Sequence, residues 1–386
     1  MIRIACGILQ GIYSLIKAVV PTRNKVTLVS RQSNNPSIDF QLLKDEFARR
    51  ENPPEVVMLC KMLNKSLFGI IAYAFHMLRQ MYHFAGSRVI ILDSYCILAS
   101  VAKHKSDLVI IQMWHCLGTT KKFGHLILGT SEGSSEKIAH ALRMHANYDY
   151  IFASSNSYRK QLAAGFGSDP SKVVIKPLPH LDLLTNAEYA YEEREKVFKE
   201  LGDISKKKTI LYCPTFRKDE SDLKKAVTTL IDAVDYEHYN LVVKLHPLSK
   251  ITIEDPRVLT PRNFTTLNML FVADAVISDY SCTIFEAGLL GIPIYFYCFD
   301  LEKYERIRGL TLDYVHECPG VVSPDINTIL QAIDHQDSYD KEYLRAFVQK
   351  YVTMTPTATK DIVDFVMPFL MRTEVPDKLI KQNTWA

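Results

Sequence analysis

The sequence predicts an α/β protein of two doubly wound parallel sheets that face each other across a cleft. Three observations carry this. The chain has 386 residues, and domains usually hold roughly 100–200. Short β-branched or apolar runs alternate with helical patterns in two separate series, the pattern of parallel strands joined by helical crossovers. Between the series, around Asp182 to Lys206, composition shifts to Glu, Lys and Tyr without a glycine-rich linker, so a helix-containing hinge joins the halves.

The first series comprises Lys25 to Ser30, Glu55 to Cys60, Arg88 to Asp93, Asp107 to Trp114, Tyr148 to Ser154 and Val173 to Lys176. The second comprises Lys208 to Cys213, Tyr239 to Leu245, Arg257 to Leu259, Ala275 to Ser278 and Pro293 to Tyr297. A charged helical stretch, Ala187 to Leu201, leads from one to the other, and Tyr339 to Leu370 reads as two helices crossing back. The expected divisions are an N-terminal domain over 1–195, a C-terminal domain over 196–345 and returning helices over 346–386. Ligands in open α/β sheets sit beyond the carboxyl ends of the strands, which places the site in the interdomain cleft.

The 46 basic and 43 acidic residues leave a net charge of +3, without the concentrated positive field of a nucleic-acid binder. Eight scattered cysteines with no C-x-x-C pair point to reduced thiols in a cytoplasmic protein, neither a zinc site nor a disulfide framework. The N-terminus, Met1 to Val20, has an uncharged run of 13 residues, short of the roughly 20 that span a bilayer. It reads as an amphipathic helix in the membrane interface, with Arg3, Lys17, Arg23 and Lys25 toward anionic headgroups of the inner leaflet; an ordinary helix packed on the domain is the alternative.

Five segments just after predicted strands carry chemistry. In the first, Gln112 to Gly124, His115 is placed to take a proton from an attacking hydroxyl, and Gly118 and Thr119 would let backbone N–H groups approach a phosphate. In the second, Leu211 to Arg217, Arg217 offers a planar fork to a pyrophosphate and Thr215 a hydroxyl to the same oxygens. The third ends at His246, a donor able to stabilise a phosphoryl group in transfer. The fourth, Ala275 to Pro293, is the most specific: Ser281, Thr283 and the N–H groups of the following helix turn form an anion cradle, with Glu286 one turn on, toward ribose hydroxyls. In the fifth, Asp300 to Gly309, Arg308 precedes a flexible glycine and is able to close over the pyrophosphate. For each a plain structural role competes: a packed Trp-His pair, a surface ion pair, a helix cap or a solvated charged face.

In this order and spacing the segments resemble the CDP-glycerol glycerophosphotransferase family of teichoic acid primases and polymerases, over roughly Lys25 to Asp313. The resemblance implies a GT-B fold of two Rossmann-like domains, needing no cofactor and no metal, with CDP-glycerol or CDP-ribitol as donor. It implies an undecaprenyl-linked wall or capsule polymer as acceptor, His115 as base and His246 as a donor-phosphate ligand. Arg217, Ser281, Cys282 and Glu286 would hold the CDP moiety and Arg308 would lie near the pyrophosphate. Three positions depart from the family pattern: Cys116 replaces the Gly or Ala after Trp-His, Pro179-His180-Leu181-Asp182 replaces Pro-Arg-x-Asp, and Cys282 replaces the second Ser of a Ser pair. The missing Arg puts an acceptor or phosphate contact in question. The implied reaction is in-line attack of a polyol hydroxyl on the β-phosphorus of CDP-polyol, releasing CMP, with positioning and charge neutralisation as the protein's contribution. A GT-B sugar-nucleotide glycosyltransferase or epimerase and a non-catalytic polymer-binding scaffold are the competing readings.

Overall fold

The computed structural model of the chain describes residues 2–371 apart from 65 and 203; the stretch expected beyond 371 lies outside the described residues. Two six-stranded parallel sheets form the frame. The first contains β1 (Lys25–Ser30), β2 (Glu55–Cys60), β3 (Val89–Leu92), β4 (Val109–Gln112), β5 (Tyr150–Ala153) and β6 (Val173–Ile175), in the order β2-β1-β3-β4-β5-β6. The second contains β7 (Lys208–Cys213), β8 (Tyr239–Val243), β9 (Val258–Leu259), β10 (Ala275–Ser278), β11 (Ile294–Tyr297) and β12 (Val322–Ser323), in the order β12-β11-β10-β7-β8-β9.

Strands covered on both faces must be apolar throughout, which is why they read as continuous Val/Ile/Leu runs. The second sheet shows the two faces by period-2 alternation. Ile210, Tyr212, Leu241, Val243, Ile277 and Tyr295 pack into one core, whereas Leu211, Val242, Val276, Ile294 and Phe296 point to the other side. That other side is continuous with the core of the first sheet, including Val26, Leu28, Ile91 and Ile111, so the halves share buried apolar surface. β1 pairs with both β2 and β3, and β7 with both β8 and β10. These are the two switch points, where strand ends splay and leave room for a ligand.

The helices that matter for the site are α1 (Ile2–Val19), α2 (Ile38–Ala48), α3 (Leu67–Gly86), α4 (Ala187–Leu201), α5 (Thr283–Leu289), α6 (Leu301–Arg308), α7 (Lys341–Tyr351) and α8 (Ala358–Leu370). α4 is the charged stretch read between the two series. α7 packs on α5 of the second half, and α8 returns to α2 of the first. The return is fixed by a cap supplied from a distance: Asp182 accepts the first-turn N–H groups of Ala358 (2.6 Å) and Thr359 (3.0 Å), donors with no partner inside a helix. The Asp of the Pro-His-Leu-Asp element therefore docks the C-terminal helix.

Replacing Asp182 by Ala removes both acceptors at once. It is expected to lower stability by about 1–2 kcal/mol, seen as a lower urea midpoint with an unchanged slope; a midpoint equal to that of the parent chain contradicts the capping role.

Candidate active site

The first functional loop leaves β4 through a strained residue. Trp114 has φ of 67°, a left-handed conformation that costs a bulky residue of order 1–3 kcal/mol and persists only where the surroundings impose it. Here Gln112 Oε1 accepts the Trp114 N–H at 3.0 Å, and the indole stacks on Phe123 with ring centres 4.5 Å apart. The reversal brings out the next residue, His115, which is exposed. Its Nδ1 lies 2.9 Å from the carbonyl oxygen of Asp93 at the end of β3. The Gln32 side-chain amide also meets Nδ1, at 3.3 Å; the shorter contact is to a carbonyl, which only accepts, so Nδ1 carries the hydrogen, the amide turns its oxygen toward it and Nε2 keeps its lone pair. This is the tautomer a general base needs.

The loop then crosses to the second half and is stitched there. Thr120 Oγ1 donates to the Tyr280 carbonyl at 2.6 Å, and Lys121 Nζ donates to the same oxygen at 3.2 Å. Lys122 N donates to Gly309 O, and Thr311 N to Thr120 O, each at 3.0 Å. Gly118 lies against Phe285, whose ring would stand 2.3 Å from any added Cβ. Glycine is therefore required there by interdomain packing, a constraint separate from the phosphate approach expected of it. The Thr119 hydroxyl is turned onto Lys121 O at 3.1 Å, and Thr119 is 4% exposed, so its side chain serves the loop.

Beyond β7 and β10, Asp279 organises the cradle. It is fully buried, and its Oδ1 accepts the N–H groups of Thr215 (2.8 Å) and Tyr280 (2.6 Å). Its Oδ2 stands 2.9 Å from Arg217 Nη2. Arg217 also forks onto Asp300 at 2.9 and 3.0 Å, donates to Thr215 O and lies over the rings of Tyr280, Phe299 and Tyr304. Sequence reasoning gave this guanidinium to the pyrophosphate; the structure gives it to two carboxylates, a correction with a plain cause, since a buried cation must be paired. It braces the loop carrying Thr215, whose buried hydroxyl has no partner. Arg308 is the less committed arginine: its Nη1 is 3.8 Å from Glu132 Oε2 and its buried Nε makes no hydrogen bond. Ser281 Oγ accepts the Thr283 N–H and faces the Thr283 hydroxyl at 3.1 Å, the turn that opens α5.

His246 completes the set from the end of β8. Its Nδ1 accepts the Leu248 N–H at 3.1 Å, so the neutral ring carries its hydrogen on Nε2, the reverse of His115. His246 has an exposed edge, and partial burial with the Lys121 ammonium nearby holds it below the ordinary imidazole range. Lys121 is itself lowered by burial and feels the Cys282 thiol, Asp279 and Arg308. Sequence reasoning missed Lys121 as a site residue; the only hint was the paired Lys before Phe123-Gly124.

Glu286, expected at ribose hydroxyls, is met by another missed residue. His180, at the position where the family pattern has Arg, is buried between the halves. Its backbone N and Nδ1 both donate to Asp39 Oδ1, at 2.8 and 2.9 Å, and its Nε2 is 3.3 Å from Glu286 Oε1, an ionic contact without hydrogen-bond alignment. Burial alone would lower this imidazole, but Asp39 and Glu286 override it and push it up to about 10. A cation thus ties α2 to α5 across the cleft and orients Glu286. Asp313, where the resemblance ends, is exposed and pairs with His316 at 2.8 Å.

Facing parallel sheets, a cradle at one switch point and imidazoles of opposite tautomer describe a GT-B transferase acting on a nucleotide-activated donor. The model of the CDP-glycerol:poly(glycerophosphate) glycerophosphotransferases matches residues 12–367, and the chain belongs to that family. It is 28% identical over 379 residues to the teichoic acid ribitol-phosphate primase of Bacillus spizizenii, which covers 95% of this chain and 97% of the relative. It is 30% identical over 273 residues to the teichoic acid glycerol-phosphate primase of Bacillus subtilis, 69% and 70% being covered. The solved structure of the wall teichoic acid polymerase TagF superposes with a TM-score of 0.74 at 18% identity, over 94% of this chain and 93% of that one, a likeness of fold. The chain is thus a polyol-phosphate transferase using a CDP-activated donor, and the epimerase and scaffold readings fall away.

The His180 strut has a pH signature. A pKa raised from 6.5 to about 10 in the folded state gives stability that is full below pH 6.5 and lost as pH climbs toward 10. The melting temperature of His180→Gln should approach that of the parent chain as pH rises across this window; a pH-independent difference between the two contradicts a charged strut.

Proposed function

We propose that the chain adds ribitol phosphate to a terminal hydroxyl of a lipid-linked polyol phosphate at the cytoplasmic face of the membrane, with CMP released. The acceptor oxygen attacks the β-phosphorus of CDP-ribitol, His115 Nε2 takes its proton, and the bond to the CMP oxygen breaks. His246 Nε2–H and Lys121 face the charge that moves onto the phosphates, and Arg308 with the Ser281–Thr283 turn holds the leaving CMP. Positioning and charge neutralisation are what such phosphoryl transfer requires. The observation carrying this reading is the opposite tautomers of His115 and His246, one a base and the other a donor. Ribitol is preferred over glycerol because the ribitol-phosphate primase matches along its whole length.

The membrane face is supported by α1 and α3, which pack on each other. Although its uncharged run is short, α1 as a whole is long and apolar enough to cross a membrane by length and composition, yet one side of it is tied down: Tyr13 OH reaches His104 Nδ1 at 3.0 Å, and Lys17 Nζ and Gln10 Oε1 hold the Lys103 backbone at 2.7 Å. Lys17 therefore faces the protein and not the headgroups expected of it, and Lys25 is buried in β1. The other side exposes Ile4, Ile8, Leu15 and Val19, and α3 exposes Leu67, Phe68 and Phe75 beside it. A helix docked by one face with an apolar stripe outward suits an in-plane position in the lipid interface.

With CDP-ribitol and lipid-linked acceptor in vesicles, CMP release should fall about 10²–10⁴-fold in His115→Ala and about 10²–10³-fold in His246→Ala, with both proteins folded. CDP-glycerol should be the poorer donor, and Phe68→Glu with Phe75→Glu should lose transfer to vesicle-borne acceptor while retaining it for a soluble one. Undiminished turnover in either histidine variant contradicts the mechanism.

A further inference from the structure

Two of the positions that break the family pattern are brought together across the cleft. Cys116 follows His115 on the loop from the first sheet, and Cys282 follows Ser281 on the turn from the second. Both are free and half-buried, and the Cys116 side chain is near enough to be the first influence on the Cys282 thiol. The Cys282 sulfur also lies 3.7 Å from Gly118 O and 3.9 Å from Thr120 Oγ1, so it is held against the loop carrying its partner. Cys116 and burial push the Cys282 thiol well up, with Lys121 acting in the opposite direction. Two thiols brought together from facing segments reach disulfide geometry when the halves close on each other, and in reduced compartments such pairs are characteristically transient and redox-sensing.

We propose that Cys116 and Cys282 form a reversible interdomain disulfide that switches the transferase off. The oxidant is a peroxide. The Cys116 sulfur attacks one peroxide oxygen and becomes a sulfenic acid as the first water leaves; the Cys282 sulfur then attacks the sulfenic sulfur and expels the second water. Two S–H bonds are lost, one S–S bond forms, and the two electrons reduce the peroxide. The bridge joins the residue beside the proposed base to the cradle proposed to hold CMP, so it locks the halves in one arrangement and blocks the opening on which entry and release depend. A low-molecular-weight thiol reverses it by exchange. The loss of activity rests on the transferase reading above; the bond itself does not, and each has its own readout.

The test uses the full chain, reduced and then treated with hydrogen peroxide. Peptide mapping without reductant should show a Cys116–Cys282 cross-link, and CMP release should fall more than about tenfold and return with dithiothreitol. Cys116→Ala, which carries a residue found in the family pattern, should keep its CMP release under peroxide. Cys282→Ser should give no cross-link, and its oxidised-to-reduced activity ratio should be near one. The half-buried Cys6 and Cys60 serve as internal controls and should stay unlinked. Separate oxidation of Cys116 and Cys282 without a bond between them overturns the proposal; so does a bond that leaves CMP release intact in protein shown active when reduced. If the reduced chain releases no CMP from any CDP-polyol, the transferase reading fails, while the mapped cross-link still decides the disulfide.

Discussion

The interlock between the loop leaving β4 and the turn leaving β10 is the constraint on which the rest of the site depends. Two donors, the Thr120 hydroxyl and the Lys121 ammonium, share one carbonyl oxygen of Tyr280, and Gly118 admits the Phe285 ring at a distance no side chain would allow. A hydrogen bond to a charged donor contributes about 1.5–3 kcal/mol net, and the contact is reinforced by the antiparallel bridge between Lys121 and Leu310. This places His115, Cys116 and Lys121, all from the first half, beside a cradle built by the second.

Around that interlock the charged groups divide into those already paired and those still available. Asp279, Arg217 and Asp300 form a closed, buried ionic cluster stacked on Tyr280 and Tyr304. Removing one partner would leave an uncompensated buried charge, which makes such a cluster rigid. Asp39, His180 and Glu286 form a second closed set. Arg308, Lys121 and the Thr215 hydroxyl have donors to offer, and an incoming diphosphate supplies acceptors.

Much of the frame was legible because buried parallel strands are written as unbroken apolar runs. β1, β2, β7 and β10 fall on the predicted residues, as does α4. β12 was not seen: two residues, Val322 and Ser323, carry no period. The loops were legible as places where chemistry sits, since polar residues of particular types follow strand ends. Their internal pairings were not. Arg217 finds Asp300 and Asp279 across 83 and 62 positions, and His180 finds Asp39 and Glu286 across 141 and 106. Such contacts arise only when separate strands are brought together, and no local pattern encodes them. The departures at Cys116, His180 and Cys282 were visible as departures, yet that two of them come together and the third ties the domains together required coordinates.

The account turns on proton placement: one ring offers a lone pair, the other a hydrogen. Nitrogen-15 NMR of the chain labelled at histidine, assigned with the two alanine variants, reads this directly at neutral pH. The account predicts a hydrogen on Nδ1 and a bare Nε2 for His115, and a bare Nδ1 with a hydrogen on Nε2 for His246. The same tautomer on both rings, or a hydrogen on Nδ1 of His246, would contradict it.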